Sequence, residues 1–283
     1  MTGQPNTAQD ADGTTPLQRG LARAKDEGRA ALIGYLPAGF PDLASSIEVV
    51  RAMVAGGCDV VEVGLPYSDP TMDGPTIQRA ADRALAAGTT PADVLRVVEA
   101  VAEAGAAALV MSYWNPIDRY GTARFAADLA SAGGSGAITP DLLPEEAGEW
   151  MEATDAHGLD RIFLVAPSST DERLRLTTGA SRGFVYAASL MGVTGTRAAV
   201  ASTAEKLVVR TRQAIGDSGL PVCVGLGISS GEQAAEVAGY ADGVIVGAGF
   251  CQRVLDAADL GAATAAVGAF AEELAEGARA GRR

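Results

Sequence analysis

Eight short, mostly apolar runs, each followed by an Ala-rich amphipathic stretch, recur along the chain at residues 31–36, 59–64, 107–112, 136–139, 161–165, 183–188, 221–225 and 243–247. Runs of this length with β-branched residues read as strands, and the stretches between them carry a helical repeat. Helical patterns cover 43–55, 91–104, 122–132, 145–156 and 200–215, several opening on Pro, Asp or Thr as helix starts do. Strand and helix in alternation demand parallel pairing, because each helix returns the chain to the same end of the sheet. Eight such units in roughly 260 residues match a TIM barrel in size. The expected fold class is therefore α/β: a (β/α)8 TIM barrel with an extra N-terminal helix and additional helices, the extra one at 17–27 covering the barrel bottom. A doubly wound sheet is the alternative, but it needs a glycine-rich phosphate loop after the first strand. Gly34-Tyr35-Leu36-Pro37-Ala38-Gly39 does not have that form.

Hydrophobic residues make up 48% of the 283, enough for a substantial core, and no compositional break marks a linker. Residues 17–283 are read as a single domain. Residues 1–16 are polar, lack the basic start and apolar run of a signal peptide, and are expected to be a disordered tail. No apolar stretch reaches the roughly 18 residues of a membrane span, so a soluble, cytoplasmic protein is expected. The net charge of −13 opposes nucleic acid and anionic membranes, so an anionic ligand must be held by local groups. Cys58, Cys223 and Cys251 are odd in number and set among apolar residues, which suits reduced core thiols. The sole histidine, His157, precedes Gly158 at a helix end; no metal site is expected.

Glu62 interrupts the valines of the second strand, and no Lys or Arg lies between Arg51 and Arg79. A carboxylate there loses hydration, and its pKa rises toward the range where it gives and takes a proton near neutral pH. That makes it the candidate general acid/base, against the reading of an ion-paired structural glutamate. Asp69 and Asp73 follow in the next loop. Asp73 precedes Gly74-Pro75, a context compatible with helix capping and with catalysis alike, and Asp141 reads equally as a turn or a site residue. Barrel enzymes commonly hold phosphate on backbone N–H groups after the last two strands. Here Gly225-Leu226-Gly227-Ile228-Ser229-Ser230 and Gly247-Ala248-Gly249 occupy those positions, whereas either loop alone would read as turn glycine. Gly192-Val193-Thr194-Gly195 is either a lid, with Thr194 able to bond an active-site acid, or a rigid connector. The two lysines, Lys25 and Lys206, fall in helices, which argues against a Schiff-base aldolase.

Several separated motifs are more specific. They are Leu36-Pro37-Ala38-Gly39-Phe40-Pro41, the run from Glu62 to Gln78, Met111-Ser112-Tyr113-Trp114-Asn115-Pro116, Pro140-Asp141-Leu142, and the glycine loops at 192–195 and 225–230. On these motifs the chain resembles the tryptophan synthase α subunit family from about Leu17 to the C-terminal helix. The resemblance implies a carbon–carbon lyase of tryptophan biosynthesis, which cleaves indole-3-glycerol phosphate to indole and glyceraldehyde 3-phosphate without a cofactor. It implies acid/base work for Glu62, contact with the indole N–H for Asp73, and an active-site place for Tyr186. Tyr35, Leu109 and Ile138 are expected around the indole ring. Gly192, Gly195, Gly227 and Gly247 are expected at the phosphate beside Ala248, where many members carry serine. The implied partner is the pyridoxal-phosphate β subunit in an α2β2 heterotetramer, met by residues 67–72, 113–116 and the 192–195 loop, with pyridoxal phosphate only in that subunit. Competing readings are a non-catalytic activator of the β subunit and another phosphate-binding barrel lyase or isomerase.

Overall fold

The structure, a computed structural model, describes residues 13–188, 197–225 and 227–281. Its strands are β1 (Ala31–Pro37), β2 (Val60–Gly64), β3 (Ala107–Met111), β4 (Gly136–Ile138), β5 (Asp160–Ile162), β6 (Leu164–Val165), β7 (Val185–Ala188), β8 (Val222–Gly225) and β9 (Gly243–Val246). They form one sheet in the order β5-β4-β3-β2-β1-β9-β8-β7-β6, and every pairing is parallel. The two ends of that order, β5 and β6, are separated by Phe163 alone, so the sheet returns on itself as a barrel. The fifth of the eight expected runs thus differs in being split. A closing strand must serve two neighbours, and the ladder passes from β4 to β7 at Phe163, whose carbonyl accepts the Tyr186 N–H.

Around the sheet run α1 (Pro16–Asp26), α2 (Leu43–Ala55), α3 (Pro75–Ala86), α4 (Pro91–Glu103), α5 (Trp114–Tyr120), α6 (Thr122–Ser131), α7 (Gly148–Ala156), α8 (Asp171–Ala180), α9 (Arg197–Ile215), α10 (Gly231–Ala238), α11 (Ala248–Asp256) and α12 (Leu260–Ala280). Alternation along each strand divides the core in two. Outward residues such as Leu32, Val61, Val110, Val185, Val224 and Val246 meet the helices, while Ile33, Val60, Leu109, Ile138, Ile162, Phe184, Cys223 and Ile245 fill the barrel interior. Among the described residues no helix is long and apolar enough to cross a membrane. All three cysteines are free and buried, and His157 is the exposed C-cap of α7.

The expected bottom cover is α1, whose Leu17, Leu21 and Ala24 join the interior cluster. It starts at Pro16, one residue early, because Thr15 caps it by accepting the Gln18 N–H. Thr15 and Pro16 therefore belong to the fold, while residues 1–12 of the expected tail lie outside the described residues. The Thr15 hydroxyl also donates to the buried Asp160 at the start of β5, and Gln18 Nε2 donates to that carboxylate's other oxygen at 2.7 Å. Nearby, Arg29 grips Asp59 with two bonds of 2.6 and 2.8 Å, and Asp59 accepts the Leu32 N–H at 3.0 Å. These ties fasten the end of the barrel opposite the candidate site.

Candidate active site

At the C-terminal ends of the strands a cavity of about 800 Å³ opens, lined by Tyr35, Glu62, Thr71, Met72, Asp73, Gly74, Ile77, Met111, Leu164, Tyr186, Ala188, Gly225, Gly227 and Ala248. Its size suits a small organic ligand. Parallel register sets Tyr35 of β1 beside Glu62 of β2, and Leu164 of β6 beside Tyr186 of β7. Two glycines make room for the phenols. A Cβ on Gly64 would lie 2.4 Å from the Tyr35 hydroxyl, and one on Gly225 would lie 2.5 Å from that of Tyr186. The sequence signal at Gly225, read as the opening of a phosphate loop, therefore reports at least in part the space for an aromatic ring.

Glu62 is 1% exposed, and its Oε1 has no hydrogen-bond partner among the described residues. Burial alone pushes its pKa up to about 8, since the charged form would be poorly solvated and no cation compensates it. Asp73 is half-buried. Desolvation raises its pKa, and the Tyr113 hydroxyl pulls it back down. The residue does not cap α3: the N-cap is Gly74, and no side chain caps it. Of the two uses the sequence left open, helix capping is therefore not realised, and the residue lines the cavity. Tyr35 and Tyr186 are held well above the ordinary phenol range, mainly by burial and then by the charges of Asp73 and Glu62 respectively, so both stay neutral.

The phosphate-side residues divide. Gly227, at φ 68°, takes a left-handed conformation open to glycine and lines the cavity with Ala248. Ala248 is the first residue of α11, which opens on Gly247 without a side-chain cap; the first N–H groups of a helix have no partner within it, which suits an anion. Gly247 lies behind, packed toward Tyr35 and Ile77. By contrast α10 is already capped: Ser230 accepts from Gln233 N, and the Gly231 N–H is bound to Glu273 Oε1 at 2.7 Å. Gly192, Thr194 and Gly195 lie outside the described residues, as does the question of a lid.

Leu109 and Ile138 are wholly buried in the interior cluster and do not line the cavity. The apolar wall comes from Met111, two residues beyond Leu109 on the same face of β3, and from Leu164, Ile77 and Ala188. Period-2 alternation identifies the face, but the depth of a side chain along the barrel axis depends on where the strand ends. Thr71, Met72 and Gly74 come from the loop before α3, and Ile77 from one turn inside it, four residues after Asp73. Asp141 accepts the Trp114 N–H at 2.8 Å, and half-buried Trp114 meets Trp150 edge-on at 6.0 Å; both have local structural work. Lys25 and Lys206 are exposed on α1 and α9. Among the described residues no Lys or Arg lines the cavity, and no group of three or more His, Cys, Asp or Glu could hold a metal ion.

Comparison with known proteins adds independent support. Residues 21–279 match the family model for the tryptophan synthase alpha chain. The tryptophan synthase alpha chain of Thermobifida fusca is 76% identical over 269 residues, covering 95% of this chain and 100% of that protein. That of Acidothermus cellulolyticus is 59% identical, with 94% and 97% covered. A crystal structure of M. tuberculosis tryptophan synthase in an open form superposes with a TM-score of 0.85 at 50% identity, over 94% of this chain and 99% of that one. The alpha subunit from Legionella pneumophila gives 0.83 at 32% identity, with 93% and 98% covered. With the barrel, the buried acid and these matches in agreement, the chain belongs to the tryptophan synthase alpha chain family.

Proposed function

We propose that this chain cleaves indole-3-glycerol phosphate to indole and glyceraldehyde 3-phosphate, a retro-aldol step of tryptophan biosynthesis. The observation that carries the reading is Glu62: a buried carboxyl, its Oε1 without a hydrogen-bond partner among the described residues and its pKa near 8, on the wall of a cavity it shares with Asp73. At neutral pH Glu62 holds its proton, so donation comes first. The proton goes to indole C3, and the ring becomes an indoleninium with its positive charge at the nitrogen. The Glu62 carboxylate so formed takes the proton of the glycerol hydroxyl on the carbon attached to C3. That carbon becomes the aldehyde as the C–C bond breaks, and the bonding pair returns to the ring to give neutral indole. Glu62 ends protonated again, so one carboxyl completes the cycle.

Asp73, ionised, faces the indole N–H and stabilises the charge that develops there. Tyr35, Met111, Ile77 and Leu164 enclose the ring, Tyr186 flanks Glu62, and Leu109 and Ile138 support this layer from beneath. The phosphate is taken by the backbone at Gly227 and the start of α11, with Gly247 and Ala248, and by Gly192, Thr194 and Gly195. Because the protonated ring is itself the electron sink, the reaction runs without a cofactor, and pyridoxal phosphate belongs to a partner β subunit in an α2β2 assembly. Residues 67–72 and 113–116 form the contact with that partner; their mutual packing, with Tyr67 and Tyr113 rings 5.2 Å apart, supports a shared surface. Buried, unpaired cysteines agree with a cytoplasmic setting. The test is indole release from indole-3-glycerol phosphate by the purified chain, with and without a β subunit. Slow release alone and faster release with the partner is the expected result; none under either condition would refute the proposal.

A further inference from the structure

Tyr113 sits just beyond the end of β3, 6% exposed, with its hydroxyl against the backbone of Thr71 and Met72, two residues that line the cavity. That hydroxyl accepts two backbone N–H groups, from Thr71 at 3.1 Å and from Met72 at 2.9 Å. A phenol oxygen has two acceptor sites and one proton. Both acceptor sites are filled by backbone, which leaves the hydroxyl proton free to turn toward the Asp73 carboxyl, whose pKa Tyr113 lowers. The ring packs on Tyr67, whose own hydroxyl accepts from Asn115 Nδ2 at 3.5 Å. One side chain therefore fixes the two residues that lead into Asp73 and carries the hydroxyl that lowers the pKa of Asp73 itself.

We propose that Tyr113 is the positioning residue of Asp73: it pins the Thr71–Met72 backbone and aims its one proton at the carboxylate, setting both the place and the charge of that acid. The inference rests on the role proposed for Asp73. The other titratable groups facing Asp73 are the Tyr35 phenol from β1, the Tyr186 phenol from β7 and the Cys251 thiol from α11, all raised well above neutrality by burial, with the Glu62 carboxyl of β2 on the same cavity wall. The neutral phenols and thiol do not titrate in the acid range where Asp73 does.

Tyr113→Phe keeps the ring and removes the hydroxyl. Loss of a hydrogen bond to a charged group predicts a fall in kcat/KM of about 10- to 100-fold at neutral pH. Asp73, without its donor, titrates higher, so the acid limb of the pH profile moves to higher pH and the deficit narrows as pH rises; a deficit constant with pH, or none, overturns the proposal. In an Asp73→Asn background the same substitution should have little further effect, and full additivity overturns it. A readout free of turnover is the Asp73 carboxyl titration, followed by 13C NMR in wild type and Tyr113→Phe. A higher midpoint in the variant supports the proposal and an unchanged one refutes it, whether or not wild type releases indole. Absence of indole release by wild type would instead count against the proposed function.

Discussion

Glu62→Gln should make the protein more stable as pH rises while removing its turnover. The unfolded chain ionises this carboxyl near its ordinary 4.5, whereas the folded chain holds the proton to about 8. Between those values the native state binds one more proton than the unfolded state, so wild-type stability falls as pH rises. The slope from this group is about 1.4 kcal/mol per pH unit, and the whole window amounts to about 5 kcal/mol, an upper figure because cavity water relaxes part of it. Gln does not titrate. Its amide is left without a full set of partners, at a penalty of about 1–3 kcal/mol that is flat with pH. The difference in unfolding free energy, variant minus wild type, should therefore start near or below zero at pH 5, rise through pH 7 and level off above pH 8. Urea unfolding at a series of pH values measures it, and other ionisable groups cancel in the difference. A difference that stays flat from pH 5 to 9 would refute the reasoning, since it would place Glu62 in water with an ordinary pKa. Turnover in the same variant should fall by at least about 100-fold, the low end for removal of a general acid/base.

Three further outcomes follow from the same geometry. The profile of kcat/KM should be bell-shaped, with its alkaline limb near pH 8 where Glu62 loses its proton and its acid limb above the usual carboxylate range where desolvated Asp73 gains one; a rate still rising at pH 9 would contradict this assignment. Ala248→Ser adds a hydroxyl donor at the first residue of α11 and should lower KM by roughly 2- to 10-fold with kcat unchanged; unaltered KM in steady-state assays would mean that the phosphate sits elsewhere. Arg29→Ala removes the two-pronged partner of the nearly buried Asp59 but leaves it Arg23 at 3.2 Å and the Leu32 N–H, and should lower the unfolding free energy by about 2 kcal/mol. Because that pair lies at the opposite end of the barrel, kcat should hold, and a parallel loss of turnover would contradict the separation of the two ends.

The parts of this fold that can be read from sequence are those written in local patterns. β-branched runs and helix-start residues mark the units, and Glu62 announces itself because valine neighbours leave it nothing to pair with. What depends on three-dimensional depth is not written locally. Leu109 and Met111 share a face of β3, yet only Met111 reaches the cavity, since the strand ends there. Asp73 before Gly74-Pro75 looks like a cap, but the backbone reaches α3 with Gly74 at the cap position, which turns the acid to the cavity. Gly225 resembles a phosphate-loop glycine because closeness to a phosphate and closeness to a tyrosine ring demand the same missing Cβ. The split at Phe163 reflects closure of the sheet, a property of the whole barrel.

The ties beneath the barrel also carry a timing. Thr15 and its partner Asp160 stand 145 residues apart in sequence, and Phe184, in the cluster that α1 joins, comes later still. At synthesis rates of about 5–20 residues per second, Thr15 waits roughly 10–30 seconds before Asp160 has been made. Its buried face, Leu17, Leu21 and Ala24 of α1, can meet the earlier members of its cluster, Ile33, Val60 and Leu109, before then, but the polar tie to Asp160 cannot form. The latch that seals the finished barrel is thus fastened only after more than half of the chain has been made.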